Sequence, residues 1–508
     1  MPHHDLVLGL DVGTTNLKCL ALDEAGTIVA QGSESTPQSH PRPGWTDFDP
    51  GPLWEAACRA IRTVVAQVAH REAIKGIAVT SVAESLVPVD SQGQPLAPAI
   101  AWFDLRTVSE FEWLCDRVGY ETLFRVSGLN PDPMFGLCKI LWLKNHDPKA
   151  FHQARQWLHL ADYMAFCLCG ISATDPSLAC RTLAYHLDRG TWASEILEAV
   201  GVAPSSLPPV RKSGTPLGTI MPSSAVATQL PETAVVSVGI HDHISGAFAA
   251  GGLNPGLLFD SIGTSESLNT IFSKPLFDPR IAAHGLAQGA VWFEKPTYYL
   301  TGGLQTAGAA VEWFRRELGG KAGVAQLVEE AARADAAVPV FLPHLVRSLT
   351  PHPDAQASGA FVGIRSTTTR GAMFRAVLEG LAFEARAIAD AMVTVAGLPP
   401  FQQILTIGSS LENRLLARLK ADVYGLPLRV NSVREASSLG AALLAGVGCG
   451  LFADASAAMQ AARREEIHVE PDAEHAERLQ ARYREVYRDL YGQLRPAHHR
   501  LHALAQVP

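Results

Sequence analysis

Residues 6–30 read LVLGLDVGTTNLKCLALDEAGTIVA, and the alternation of apolar runs with polar, glycine-bearing turns in this stretch decides the fold. Leu6 to Leu10 is an apolar run of strand length, Asp11-Val12-Gly13-Thr14-Thr15-Asn16 turns, and Leu17 to Leu22 is a second strand. Asp23-Glu24-Ala25-Gly26 turns again into a third, Thr27 to Ala30, so the segment is a meander. Beyond a connection rich in Pro and Gly, Pro41 to Pro52, a helical stretch from Leu53 to His70 leads into a β-like run, Gly76 to Thr80. Strands followed by helices in this way define an α/β domain.

The first hairpin has a counterpart halfway along the chain. Leu257 to Asp260 is strand-like, Ser261-Ile262-Gly263-Thr264-Ser265 turns, and Leu268 to Phe272 resumes a strand. Gly13 and Gly263 are separated by about half the sequence, the spacing that a duplicated domain leaves. A chain of 508 residues is too long for one ordinary core and suits two. The boundary is expected at Gly251-Gly252, giving domains 1–251 and 252–508. In the stretch Glu474 to Leu494, Leu479, Tyr483, Val486, Tyr487, Leu490 and Tyr491 recur every three or four residues and predict one amphipathic closing helix.

Composition narrows the partners. Apolar residues make up 47% and charged residues 18%, a balance that builds cores and excludes a disordered chain. A net charge of −8 has the wrong sign for general attraction to nucleic acid or an anionic membrane, which points to a small-molecule partner. The 8 cysteines show no CxxC pairing, and Cys167 and Cys169 read as buried free thiols. The opening MPHHDLVLGLD has no basic leader, and the longest apolar stretch, Leu439 to Phe452, falls short of the ~18 residues needed to cross a bilayer. A reducing cytoplasm is the expected compartment.

Four polar clusters can carry chemistry. A hairpin bearing Gly13, Thr14 and Thr15 is either an ordinary polar turn or a concave set of N–H groups and hydroxyls that cradles phosphate. Asp11 beside it offers hard oxygen ligands to Mg²⁺. Ala234 to Ile240 is a β-branched strand ending in His241-Asp242-His243 before a small-residue helix. Asp242 is then either a helix N-cap or a carboxylate at the ligand end of a strand, where it can take a hydroxyl proton. The two flanking histidines lack a further ligand at metal spacing, so zinc is not expected. Glu84, Trp102 and Asp104 form either a surface loop or a sugar site, with an indole for C–H faces and carboxylates for hydroxyls. The last, Thr406 to Asn413, is a Gly- and Ser-rich loop opening a helix.

Taken in order, these stretches resemble the FGGY family of carbohydrate kinases from about Leu6 to about Gln460. Asp11 to Thr15, with Lys18 behind, is similar to the first phosphate motif, and Ser261 to Ser265 to the second. Ala99 to Thr107 resembles the substrate loop, and Met134 to Trp142 the first family signature, with Gly136 where Ser, Thr or Pro is usual. Thr174 to Cys180 is similar to a TDxSxAS segment, and Ala376 to Leu381 resembles the second signature. Ile407 to Asp422 looks like the adenosine loop, and Glu435 to Ala442 like the segment closing the nucleotide domain.

The resemblance implies two actin-like (ribonuclease H-like) α/β domains with the active site in the cleft between them. It implies phosphate contacts from Gly13, Thr14, Thr15, Lys18, Gly263, Thr264 and Ser265, and adenosine contacts from Gly408, Ser409 and Asn413. Glu84, Trp102, Asp104, Asp242 and His243 fall in substrate positions, Asp242 matches the general base, and Asp11 lies near Mg²⁺. The expected reaction is phosphoryl transfer from ATP to a small sugar, sugar alcohol or sugar acid, with a ketopentose or related polyol favoured and a homodimer as the candidate assembly.

Departures bear on the acceptor. Xylulose-type kinases carry Met-His at Ala83-Glu84, whereas glycerol kinases share Glu84 and Trp102 but have Arg and Tyr at Ala83 and Met134 and Gln at His243. Ser409 and Ser410 replace glycines of the adenosine loop, and Ser348-Leu349 stands where the family has Glu-Arg. Two other readings are an actin-like ATPase, opposed by Asp242 and the Glu84, Trp102 and Asp104 cluster, and a silent sugar-binding regulator, opposed by the retention of Asp11 and Asp242.

Overall fold

The computed structural model describes residues 4–334, 338–408, 413–433 and 435–505. The meander is present, with strands Leu6–Val12, Asn16–Asp23 and Ile28–Ser35 paired antiparallel. Ile74–Ser81 then adds parallel to Leu6–Val12, and Val235–Ser237 parallel to Ile74–Ser81. The second half repeats this order. Leu257–Ile262 pairs antiparallel with Glu266–Phe272, which pairs with Pro296–Leu304, while Gln403–Ile407 and Leu428–Asn431 add in parallel on the other side. Both sheets thus carry three antiparallel strands followed by two parallel ones, the ribonuclease H-like pattern. Antiparallel neighbours need only a short turn, whereas each parallel addition requires a crossover, which is where the helices and long insertions lie.

Period-2 alternation sorts the first strand between two layers. Leu6, Leu8 and Leu10 pack with Leu53, Ala56, Ala60 and Ile61 of the helix Pro50–Val65. Val7 faces the other way, toward Leu439, Ala442 and Leu443 of the helix Ala436–Gly448. That helix comes from the second half of the sequence and crosses back onto the first sheet. It packs there against the helix Asp242–Ala250, whose Ala247 and Ala250 in turn meet Leu257 and Phe259 of the second sheet. Close approach needs glycine at each crossing. A Cβ on Gly9 would overlap the Ser438 carbonyl oxygen, and one on Gly440 the Ser245 carbonyl oxygen.

Two helices differ from their predicted extents. The helix expected from Leu53 begins at Pro50, capped by the Asp49 side chain with Pro50 in the first turn, and ends at Val65 rather than His70. The single closing helix expected over Glu474 to Leu494 is instead Ala473–Arg482, a π turn Tyr483–Tyr487, and Arg488–Ala505. The π turn buries both tyrosines and brings Tyr483 Oη to Asp390 at 2.8 Å and Tyr487 Oη to Glu384 at 2.6 Å. The last helix fastens the loop after Val340–Leu342 through Asp354, which accepts from Tyr491 and lies 2.6 Å from His499 Nε2. All 8 cysteines are free, with Cys169 buried and Cys167 partly so. Among the described residues no helix is long and apolar enough to cross a membrane.

Two outcomes are expected. Gly440→Val should overpack the helix crossing and cost about 1–3 kcal/mol or more, read as a lower thermal midpoint together with loss of activity. His498 is buried in the last helix, where burial and the nearby His344 hold its imidazole below the usual value. The unfolded chain therefore takes up a proton that the native state refuses, and stability should fall as pH drops below about 6.5. Thermal melts from pH 7.5 to 5.5 should show a smaller decline for His498→Gln than for the wild type.

Candidate active site

Two adjoining cavities open between the sheets. The larger, about 790 Å³, is lined from the first half by Asp11, Lys18 and Asp242, and from the second by Phe259, Ser261, Gly408, Asn431 and Glu435, among others. The smaller, about 280 Å³, is lined by Thr14, Ala83, Glu84, Trp102, Met134 and Arg181 on one side and by Ser267, Asn269, Tyr299 and Thr301 on the other. Asp242, His243 and Asn269 belong to both walls.

Asp242 is the first residue of its helix, and the cap position falls to His241. Its carboxylate is thus spared from N-capping and turned to the cavities. Burial alone would raise its pKa, but His243 and His241 beside it, with hydrogen bonds from the His241 ring and the His243 N–H, outweigh burial and hold it below the ordinary range. His241 Nε2 lies 3.1 Å and His243 Nε2 4.0 Å from Asp242 Oδ1. The three ligand atoms converge within 4.8 Å, yet the helix N-terminus and Arg181 nearby disfavour a cation resting on the imidazoles. The turn is braced from below. The His241 N–H donates to Ser177 Oγ at 2.9 Å, Ser177 donates to Asp175 Oδ1 at 2.7 Å, and Ser213 donates to Asp175 Oδ2 at 3.0 Å. Burial raises the Asp175 carboxyl to about 7 despite these donors.

Asp11, next to last in the first strand, has one buried carboxylate oxygen lacking a hydrogen-bond partner. Burial, Asp242 and Glu435 raise its pKa against the pull of Lys18. Lys18 Nζ is 2.8 Å from Glu435, which adopts a left-handed backbone (φ 52°) at the start of the crossing helix. A hard divalent cation at Asp11 would satisfy the orphaned oxygen and relieve the crowding of carboxylates, so the residues fit Mg²⁺.

In the smaller cavity, Glu84 is also left-handed (φ 65°), a costly conformation for a residue with a side chain, and it places its carboxylate 2.5 Å from Arg181. Trp102 donates its indole N–H to Thr14 Oγ1 at 3.0 Å. Its loop is anchored from behind, where Lys139 Nζ donates to the Ala101 carbonyl at 3.0 Å and burial pushes the ammonium down to about 7.

Not every expected residue lines these walls. Asp104 is buried behind the loop, where its carboxylate accepts from the Thr46 N–H and from Arg106, so it shapes the loop and does not face the cavity. Asn413 caps the helix Arg414–Tyr424 through its side chain. Gly13, Thr15, Gly263, Thr264 and Ser265 sit at the two hairpin tips, outside either lining, and the Thr264 carbonyl accepts from the Ala307 and Ala309 N–H groups. Gly408 lines the larger cavity, while Ser409 and Ser410 lie outside the described residues. Arg181, Tyr299, Ser267, Asn269 and Thr301 escaped the sequence reading. The alternation of Ser267 and Asn269 about the core residue Leu268 was a legible sign of a polar strand face; Tyr299 gave none.

Two ribonuclease H-like sheets around a cleft in which one carboxylate separates two cavities define an actin-like phosphotransferase. Residues 6–249 match the N-terminal domain, and 258–449 the C-terminal domain, of the FGGY family of carbohydrate kinases. The chain is 31% identical over 462 residues to a glycerol kinase of Gloeobacter violaceus, covering 88% of this chain and 89% of that one. It is 27% identical over 489 residues to a xylulose kinase of Bacillus subtilis, covering 96% of each. The solved xylulose kinase from Lactobacillus acidophilus superposes with a TM-score of 0.89 at 25% identity, over 98% of this chain and 100% of that one. The protein belongs to the FGGY family of carbohydrate kinases, enzymes that move a phosphoryl group from ATP to a sugar or polyol.

The brace beneath Asp242 generates a prediction. Ser177→Ala removes the acceptor of the His241 N–H and frees the turn. Steady-state kinetics should show kcat lower by roughly 10-fold or more, since small misplacements of a reacting group are costly, with the acceptor KM within about twofold.

Proposed function

We propose that the enzyme phosphorylates a hydroxyl of a small neutral polyol or ketose, with Asp242 as general base, ATP in the larger cavity and the acceptor in the smaller. The observation that carries this reading is the position of Asp242 in the wall common to both. A carboxylate held ionised there can accept the proton of an acceptor hydroxyl as that oxygen attacks the terminal phosphorus. The N–H groups and hydroxyls of Gly13, Thr14 and Thr15, and of Gly263, Thr264 and Ser265 across the cleft, hold the transferring group, and Lys18 adds a charge once it leaves Glu435. Asp11, with Asp242 opposite, would hold Mg²⁺. Bound there, the cation neutralises phosphate charge in the transfer. Gly408 and the helix opening at Asn413 would border the adenosine. On this reading residues 1–251 and 252–508 each supply one hairpin.

A neutral acceptor is favoured because Arg181, the one guanidinium among the described residues lining the smaller cavity, is already committed to Glu84 at 2.5 Å. Trp102 offers an indole face to C–H groups, and Glu84, Asn269 and Thr301 offer partners to hydroxyls. Ala83, where glycerol kinases have Arg, leaves room for an acceptor longer than glycerol. Relatives named glycerol kinase and xylulose kinase support the same class.

The test is ADP release with glycerol, erythritol, xylitol, D-xylulose and D-gluconate. A neutral polyol or ketose is expected to give the highest kcat/KM; a preference for gluconate overturns the neutral-acceptor reading, and no stimulation by any sugar or polyol overturns the reaction. Asp242→Asn should lower kcat by about 10²–10⁴-fold, and unchanged turnover would remove Asp242 as the base.

A further inference from the structure

We infer that the hydrogen bond from Trp102 to Thr14 couples the acceptor site to the phosphate site, so that filling either one prepares the other. The inference rests on the phosphotransfer reading above and adds a positioning role for Trp102, exerted through Thr14.

The hairpin backbone is held without Trp102. Thr36 Oγ1 donates to the Gly13 carbonyl at 2.7 Å, Gln38 Nε2 to the Thr14 carbonyl at 2.5 Å, and the Thr36 N–H to the Thr15 carbonyl at 2.9 Å. These bonds fix the path of the turn and leave the Thr14 side chain to other partners. Among the described contacts its hydroxyl has one, the Trp102 indole N–H at 3.0 Å. The indole bond uses a lone pair of Oγ1, which directs the hydroxyl proton elsewhere and strengthens it as a donor. A terminal phosphate oxygen at the hairpin is the natural recipient.

Trp102 in turn sits on a fixed loop with one face of its ring open to the cavity. The loop is locked by Lys139 on the Ala101 carbonyl, by the Ala101 N–H on the Thr46 carbonyl at 3.0 Å, and by Asp104 on the Thr46 N–H at 2.6 Å. The ring itself remains 37% exposed in the acceptor cavity, edge-on to Phe103 at 5.4 Å. A sugar stacked on it removes its remaining freedom and with it that of the Thr14 hydroxyl. Reciprocity then requires that a terminal phosphate on Thr14 favour the ring orientation that accepts the sugar.

The test uses protein labelled with 5-fluorotryptophan, in which the ¹⁹F resonance absent from Trp102→Phe is that of Trp102. Mg·AMP-PNP, which carries a terminal phosphate, should shift this resonance in the absence of any acceptor, and Mg·ADP should not. Thr14→Ser should keep the shift, and Thr14→Val should lose it while still binding the nucleotide by calorimetry. With D-xylulose or glycerol present, whichever the enzyme phosphorylates better, Mg·AMP-PNP should bind about fivefold tighter or more, and Trp102→Phe should bring that ratio to about one. A Trp102 resonance that stays put while Mg·AMP-PNP binds, or that shifts equally in Thr14→Val, overturns the coupling alone. Absence of Mg·AMP-PNP binding to the wild type overturns the phosphotransfer reading and the coupling with it.

Discussion

The backbone contact between the helices Asp242–Ala250 and Ala436–Gly448 is the constraint on which the site depends. Gly440 lets one helix rest on the Ser245 carbonyl of the other. Hydroxyls then stitch the crossing, with Ser245 Oγ donating to the Ser437 carbonyl at 2.7 Å and Ser437 Oγ to the Asp242 carbonyl at 3.1 Å. Because the two helices start side by side, Asp242 at the head of one and Glu435 at the head of the other both reach the floor of the cleft. The same helices lie between the sheets, and the first strands of both halves reach one cavity, through Asp11 and Ser261. Small residues at the crossing thus decide where these carboxylates meet.

That meeting creates an electrostatic problem which the molecule resolves locally. A chain of net charge −8 gathers Asp11, Asp242 and Glu435 where the proposed reaction brings phosphates. Two of these carboxyls respond oppositely to burial in the same cleft. Asp242 has imidazoles and an N–H to stabilise its charge and stays below the ordinary range, ionised as the proposed role of base requires. Among the described residues Asp11 has Lys18 as its opposing cation, shared with Glu435, and is pushed up. An ionised base beside a carboxyl that gains from a cation is the division of labour that phosphoryl transfer needs, and it follows from which neighbours each carboxyl has.

The sequence made the meanders, the repeated hairpins and the Asp242 turn legible, because each is written in local pattern: apolar runs of strand length, turns with Gly and Thr, a β-branched strand before small residues. What it left dark is non-local. The crossing of Ala436–Gly448 onto the first sheet pairs residues more than four hundred positions apart, such as Ser438 Oγ with the Lys18 carbonyl at 3.3 Å, and no periodicity carries that pairing. Asp104 looked like a ligand for sugar because a carboxylate near a Trp suits one; besides the nearby Arg106, it is committed to Thr46, in a loop 58 residues earlier. Asn413 likewise fitted an adenosine loop by order along the chain, while its side chain satisfies the local demand of a helix end. Arg181, one residue past a recognisable segment, acquires meaning only when folding sets it on Glu84.

The Arg181 and Glu84 pair also explains how the smaller cavity can hold a strained residue while its guanidinium is already neutralised. A left-handed Glu costs free energy that some surrounding contact must offset, and a nearly buried guanidinium with two nitrogens on one carboxylate oxygen is a contact strong enough to do so. Phe135 closes the far side, with the Arg181 guanidinium 4.9 Å above its ring. Removing either charge would leave the other buried and unpaired, which is more destabilising than never having had the pair. The two charges therefore depend on each other, and on the proposed reading hydroxyls can share the remaining lone pairs of Glu84, whereas an acceptor carboxylate would have to compete with Glu84 for Arg181, the one guanidinium among the described residues lining the smaller cavity.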